Sequence, residues 1–252
     1  PVGVAGKFAD VEWSEVSGLI TFSEQEVQFY QLEGRLNEQQ VSVNGKVLKP
    51  MKEPELQVKL VAKAIDPTAL SANCPVTGSV DMTASLSGKW LALQADGTVN
   101  IANGSVGEWK LGGFVARFSG RRLADGWLIR LRQGQGTLAG EMLHDLQMAV
   151  VTQNGQLQME TLFAKLGSGS VAAHGLIGPE QLDVKLLTAA LPLRVLSMQY
   201  PELRANGNLD FTGRVSGTAQ NVRISGAFLA TDGSLLRQPF NLLQGNLAWS
   251  EG

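Results

Sequence analysis

Few side chains in this sequence are equipped for acid–base or nucleophilic chemistry. The 252 residues include 2 His and 1 Cys. His144-Asp145 has the composition of an acid–base pair. No nucleophile in a recognisable context accompanies it, and adjacent residues of a strand are expected to point to opposite faces. His174, in Ala173-His174-Gly175, reads as a solvated turn residue rather than a ligand. Gly167-Ser168-Gly169-Ser170 lacks the Lys and the following helix of a phosphate loop and is expected at a hairpin tip. Arg121-Arg122, and Arg130 with Arg132, are basic; they either lie on a solvated face or meet lipid headgroups at a sheet edge. Cys74, before Pro75, is expected as a small packed residue. A single Cys excludes an internal disulfide framework and a Cys-rich metal site. No catalytic residue, metal or cofactor is expected, and the chain is read as a non-enzyme.

Composition narrows the function classes further. Lys and Arg total 21 against 23 Asp and Glu, for a net charge of -2. No basic stripe marks a nucleic-acid binder. Charged residues make up 17% and apolar residues 44%, which argues against disorder. No apolar run approaches the roughly 20 residues that cross a bilayer. No signal peptide opens the sequence, and Pro1 reads as a cut point.

The elements that position these side chains are expected to be strands. Apolar and polar residues alternate in Val80-Asp81-Met82-Thr83-Ala84-Ser85-Leu86 and in Leu209-Asp210-Phe211-Thr212-Gly213-Arg214-Val215. The same period of two runs through Trp127–Arg132 and Leu157–Glu160. Asn44-Gly45, Asp96-Gly97, Asn103-Gly104, Asp125-Gly126, Asn154-Gly155, Asn206-Gly207 and Asp232-Gly233 predict tight hairpin turns. With 10 to 13 residues per strand and turn, the chain predicts roughly 20 strands in an antiparallel meander. Two short helices are expected, one after Asp66, with Pro67 at its first position, and one over residues 191–198.

An internal repeat organises these strands. Val27-Gln28-Phe29-Tyr30-Gln31-Leu32 matches Leu157-Gln158-Met159-Glu160-Thr161-Leu162 at an offset of 130 residues, and the offset aligns Gly45 with Gly175. At an offset of 129, Gly78, Asp81, Gly88, Gly97 and Gly104 fall on Gly207, Asp210, Gly217, Gly226 and Gly233. The repeats are read over residues 27–119 and 157–247, with a third unit starting near 244, because Gly245–Glu251 resembles Gly18–Glu24. Residues 1–252 are taken as one continuous piece of a longer protein whose repeats stack on one another.

Alternation assigns one face of the sheet to apolar side chains. In the first half these are Ile20, Phe22, Val58, Leu60, Val80, Met82, Leu86, Val99, Ile101, Phe114, Phe118, Trp127, Ile129 and Leu131. In the second they are Leu146, Met148, Val150, Leu157, Met159, Val184, Leu186, Leu209, Phe211, Val215, Ile224, Phe228, Leu247 and Trp249. Open sheets rarely exceed about ten strands without curling or splitting. The sheet is therefore expected either to close as a sandwich over a dry core or to curve into a trough. Few aromatics and no long covering helix favour the trough. A lining of this kind needs an apolar occupant: at about 0.8 kcal/mol per buried methylene, an acyl chain of some fifteen carbons gains on the order of 10 kcal/mol.

The repeated signature is a short helix, a Gly-x-Leu/Val-Asp strand, a second x-Gly strand and an Asp/Asn-Gly-Ser segment. It stands here as Leu191-Pro192-Leu193, Gly207-Asn208-Leu209-Asp210-Phe211-Thr212-Gly213, Ile224-Ser225-Gly226 and Asp232-Gly233-Ser234. Across roughly residues 18 to 250 it resembles the AsmA-like superfamily of bacterial envelope proteins, and within it the TamB group. The resemblance implies an all-β fold, the β-taco: a long, curved, predominantly antiparallel repeat sheet bent into a U-shaped groove with an apolar lining. It implies a periplasmic section of a protein anchored in the inner membrane by one N-terminal helix. The implied task is to shield phospholipid acyl chains on their way between the inner and outer membranes. The implied partners are phospholipid, adjacent repeats of the same chain and, for the full-length protein, the Omp85-type outer-membrane barrel TamA. The alternative is a scaffold that assists outer-membrane protein assembly through exposed sheet edges.

Overall fold

A computed structural model describes residues 4–8, 11–36, 39–70, 76–153, 156–178, 180–218 and 221–250. Its strands are β1 (Val4–Phe8), β2 (Val11–Phe22), β3 (Glu26–Leu36), β4 (Gln39–Leu48), β5 (Glu55–Ile65), β6 (Val76–Lys89), β7 (Gln94–Val106) and β8 (Trp109–Leu123). They continue as β9 (Gly126–Leu138), β10 (Glu141–Gln153), β11 (Gln156–Leu166), β12 (Gly169–Ile177), β13 (Leu182–Pro192), β14 (Asn206–Thr218), β15 (Asn221–Leu235) and β16 (Gln238–Ser250). Helices α1 (Pro67–Leu70) and α2 (Arg194–Gln199) follow β5 and β13, as the sequence predicts. Asp66 caps α1: its Oδ1 accepts a hydrogen bond from the Thr68 amide at 2.9 Å.

The fold is all-β, and the strand order in the sheet is the order in the chain, β1 to β16. Every pairing whose register is defined is antiparallel, as in β4–β5, β6–β7 and β14–β15. Contacts divide the chain into two compact units. The first is Pro1–Gly107 with Gly112–Ala124, and the second is Glu108–Leu111 with Asp125–Gly252.

The strands are fewer and longer than predicted, a 16-stranded sheet whose strands reach 15 residues. Most of the Gly-containing dipeptides expected in turns lie inside them. Asn44-Gly45 is within β4, Asp96-Gly97 and Asn103-Gly104 within β7, and Asp232-Gly233 within β15. Asn206-Gly207 opens β14. Asp125-Gly126 does sit at the turn between β8 and β9, and Asn154-Gly155 lies outside the described residues. Two physical reasons place them there: β-bulges also use positive φ, and neighbouring backbones approach closely, so that a Cβ at Gly97 would run into the Thr83 carbonyl oxygen. Gly207, at φ +108°, lies where the β14–β15 register shifts between Asn206 and Asn208.

Bulges recur at matching positions and explain the spacing of the repeat. The β3–β4 register shifts between Phe29 and Leu32, and the β11–β12 register between Met159 and Leu162. The β5–β6 shift lies between Ala62 and Ile65, and the β13–β14 shift between Thr188 and Leu191. At the latter pair, Ala64 and Ala190 have φ +53° and +48°. Each amide is taken by an aspartate of the next strand: Ala64 donates to Asp81 Oδ1 at 2.9 Å, and Ala190 to Asp210 Oδ1 at 2.6 Å. The repeated Asp thus holds a bulge that restores the apolar register beyond it.

Candidate functional site: the apolar face

In the first unit, cross-strand partners share a face. Val58 lies opposite Leu86, Leu60 opposite Ala84, Met82 opposite Val99, and Val80 opposite Ile101. Ile20 and Phe22 lie opposite Phe29 and Val27. In the second unit Met148 pairs with Leu131, Val150 with Ile129, and Thr152 with both Trp127 and Leu157. Val184 pairs with Val215, Phe211 with Phe228, Ile224 with Trp249, and Gly226 with Leu247. The residues assigned to one face by alternation therefore lie on one face in each unit where register is defined.

That face is buried unevenly. Ile101, Phe114, Val150, Met159, Val184 and Phe211 are buried, with 5–8% of their surface exposed. Val58, Leu60, Val80, Met82, Leu86, Val99, Phe118, Trp127, Leu131, Leu146, Met148, Leu157, Leu186, Leu209, Val215, Ile224 and Phe228 are half-buried. Ile20, Phe22, Ile129, Leu247 and Trp249 are exposed, Phe22 at 64%. Packing comes from laterally adjacent strands: Val41, Ala62 and Ile65 form one cluster with Val43, Leu60, Val80 and Met82. Met159, Ala173 and Val184 form another with Leu157, Leu162, Leu182, Leu186 and Val215. Leu193, Ala205 and Ala230 gather Leu196 of α2, Leu209 and Phe240 into a third.

Several buried members were not singled out by sequence: Val41, Ala62, Ile65, Ala84, Leu143, Ala164, Leu166, Ala173 and Ala230. Alanine carries little signal by itself, and Ile65, Leu166 and Leu143 lie beyond bulges that break simple alternation. Continuing the register from the matching repeat would have found them. Leu128 is another: it faces away from Ile129, opposite Val151, yet is only 7% exposed.

Two polar residues are buried among the described residues, Glu141 and Thr188. Thr188 lies on the apolar face opposite Phe211. Its Oγ1 donates to the Leu209 carbonyl at 3.1 Å and accepts from the Phe211 amide at 3.0 Å. Glu141 Oε2 accepts from Arg194 Nη2 at 2.6 Å, and Oε1 pairs with Arg194 Nε. This ion pair ties α2 to the start of β10.

The remaining candidates form no reaction centre. His144 and Asp145 do approach each other, Nδ1 to Oδ2 at 3.5 Å, contrary to the opposite-face expectation. Asp145, at φ +56°, forms a bulge that turns it toward its neighbour. Lys165 Nζ lies 2.8 Å from the same carboxylate, and its hydrogen bond holds the Asp145 carboxyl below the usual range. His174 lies in the middle of β12, exposed, not in a turn. Gly167-Ser168 does form the β11–β12 turn. Arg130 is half-buried and Arg132 exposed, while the Arg122 guanidinium stacks 4.7 Å over Trp90. Cys74 lies outside the described residues. Among the described residues no cluster of His, Cys, Asp or Glu could hold a metal ion, and no helix is long and apolar enough to cross a membrane.

The opposite face of the second unit carries a smaller apolar row, Phe163, Ala172, Leu187 and Thr212 in cross-strand register. With His174, Lys185 and Arg214 it lines an open cavity of about 730 Å³. Arg214 is held there by Asp183, Nη2 to Oδ2 at 2.7 Å, and this lowers the Asp183 carboxyl pKa. No family model, curated protein or solved structure matches this chain.

Proposed function

We propose that this chain is a periplasmic section of an AsmA-like envelope protein and that its apolar face shields phospholipid acyl chains. The single observation that carries the reading is that Ile20, Phe22, Ile129, Leu247 and Trp249 stay exposed while sharing a face, within each unit, with buried or half-buried apolar neighbours. A dry core has no use for exposed Phe and Trp on its inner register, whereas a hydrocarbon chain does. Phospholipid is the substrate class under this reading, the catalytic inventory is empty, and the TamA barrel is a partner of the full-length protein.

A photo-crosslinking amino acid at Ile129 or Leu247 tests this, with Thr212 on the opposite face as the control. Cells expressing these variants should yield phospholipid adducts from the first two positions and none from the third. Adducts to protein alone, or equal lipid labelling from all three, would overturn the reading. A second reading, a scaffold for outer-membrane strands, is favoured by β16. Its thirteen residues carry no charged side chain, and uncharged strand edges invite β-augmentation. Under that reading, crosslinks from the β16 edge capture peptide.

A further inference from the structure

One end of the first unit carries the two most exposed large apolar side chains described in the chain. They are Leu91 at 78% and Met51 at 76%, and Trp90, next to Leu91 in the chain, is 49% exposed. Connections that are distant in sequence hold them together. The Trp90 amide donates to the Pro54 carbonyl at 3.0 Å, the Lys49 amide to Gln25 at 2.7 Å, and the Arg122 amide to Leu93 at 2.8 Å. Leu93, 4% exposed, anchors the turn from below. The apolar tips therefore do not result from a frayed segment.

Charge at this end leans positive. Glu53 is taken by Lys89 at 2.7 Å, and Glu26 by Lys46 at 3.6 Å. Glu24, Glu55 and Asp96 then stand against Lys49, Lys52, Arg121 and Arg122; Lys49 also acts on the Glu53 carboxylate, and Arg122 stacks on Trp90. Exposed Leu and Met tips, a Trp with a stacked Arg, and exposed lysines together match the requirements of a headgroup boundary. Apolar tips enter the acyl region, Trp sits at the interface, and cations meet lipid phosphate. A protein partner fits less well: three side chains supply a few hundred Å², against about 800 Å² per partner in a stable complex.

We propose that the turns at residues 49–54 and 89–93, with Arg121 and Arg122, form a rim that binds an anionic lipid surface. This does not depend on whether the apolar face carries lipid, because Met51, Trp90 and Leu91 sit in the connections beyond the strands that form that face.

The test is co-sedimentation of the 252-residue chain with vesicles of phosphatidylcholine alone or mixed with phosphatidylglycerol. Binding should require the anionic lipid and weaken in high salt. Met51→Glu and Leu91→Glu should each lower it about tenfold or more. Lys49→Ser and Lys52→Ser should cost about fivefold per cation. Leu187→Glu, on the second unit, should bind as the parent does. Vesicles should shift the tryptophan emission to the blue, and Trp90→Phe should remove most of that shift. Absence of binding to anionic vesicles at low salt, or binding unaffected by Met51→Glu and Leu91→Glu, would overturn the proposal. So would a rim-dependent doubling of the chain's mass without vesicle binding, which would assign the surface to a second copy.

Discussion

Phe211 shows how a single aromatic decides the fate of its neighbours. Its ring lies over Gly213 and Gly226: an added Cβ at Gly213 would meet the ring's Cζ and the Ser225 carbonyl oxygen, and one at Gly226 would meet the Thr212 carbonyl oxygen before the ring. Alternation identifies Phe211 as inward-facing but not that its ring spreads across two glycines of adjacent strands. Gly213→Ala should therefore destabilise the protein by about 1–3 kcal/mol through overpacking, read as a lowered urea midpoint. Phe211→Leu in the Gly213→Ala background should recover part of that loss, because the smaller side chain yields. Simple addition of the two single effects would show that the ring is not what the new methyl meets. The same contact bears on the lipid reading, since a charge at Phe211 would disrupt packing as well as any path. Half-buried Val215 is the better place to put one.

The bulge with its aspartate partner is the element that makes the repeat visible in sequence. Asp81 and Asp210 were legible as repeat markers, but what they do was not, because alternation says nothing about a residue that leaves the pleat. Each satisfies the amide of an alanine at positive φ. Asp210→Ala should cost about 1 kcal/mol, and Asp81→Ala about the same, whereas Ala190→Gly should be neutral or stabilising because glycine tolerates that φ. Thermal unfolding followed by circular dichroism measures both; a destabilising Ala190→Gly would show that the strain is absent. The helix after β13 depends on a different contact. Arg194→Ala leaves the Glu141 carboxylate, itself 5% exposed, without its cation, and should lower the urea midpoint. Glu141→Gln combined with Arg194→Ala should cost less than Arg194→Ala alone. If both variants unfold at the same urea concentration, the pair does not pin α2.

Across the whole molecule, the apolar face was legible in sequence because strand periodicity is strict over six or seven residues, and the strand count was not because glycines serve bulges and close strand approach as well as turns. The outward face was legible only as polar, and its ion pairs came from register. They contribute to the acid limb of stability. Asp183 beside Arg214, Asp145 beside Lys165, and Glu53 beside Lys89 all have carboxyl pKa values below their ordinary 3.8 or 4.5, with the partner's hydrogen bond as the main cause. Asp66 is lowered likewise by the Thr68 hydrogen bonds. A folded-state pKa below the unfolded one means that the unfolded chain takes up protons first as pH falls. The stabilisation is complete above the ordinary carboxylate values and is lost as pH drops through them toward the lower folded values. Protonation also leaves the 21 Lys and Arg charges without counter-charge, so self-repulsion adds to the loss. The melting temperature should be flat above about pH 5 and decline below about pH 4. Salt screens these exposed pairs, so high salt should reduce the contribution from the pairs themselves. Asp183→Asn should lower the plateau slightly and shallow the acid slope, because one proton-linked pair is gone. An acid slope identical in the parent and in Asp183→Asn would mean that Arg214 gives this carboxylate no more stabilisation in the folded sheet than water gives it in the unfolded chain.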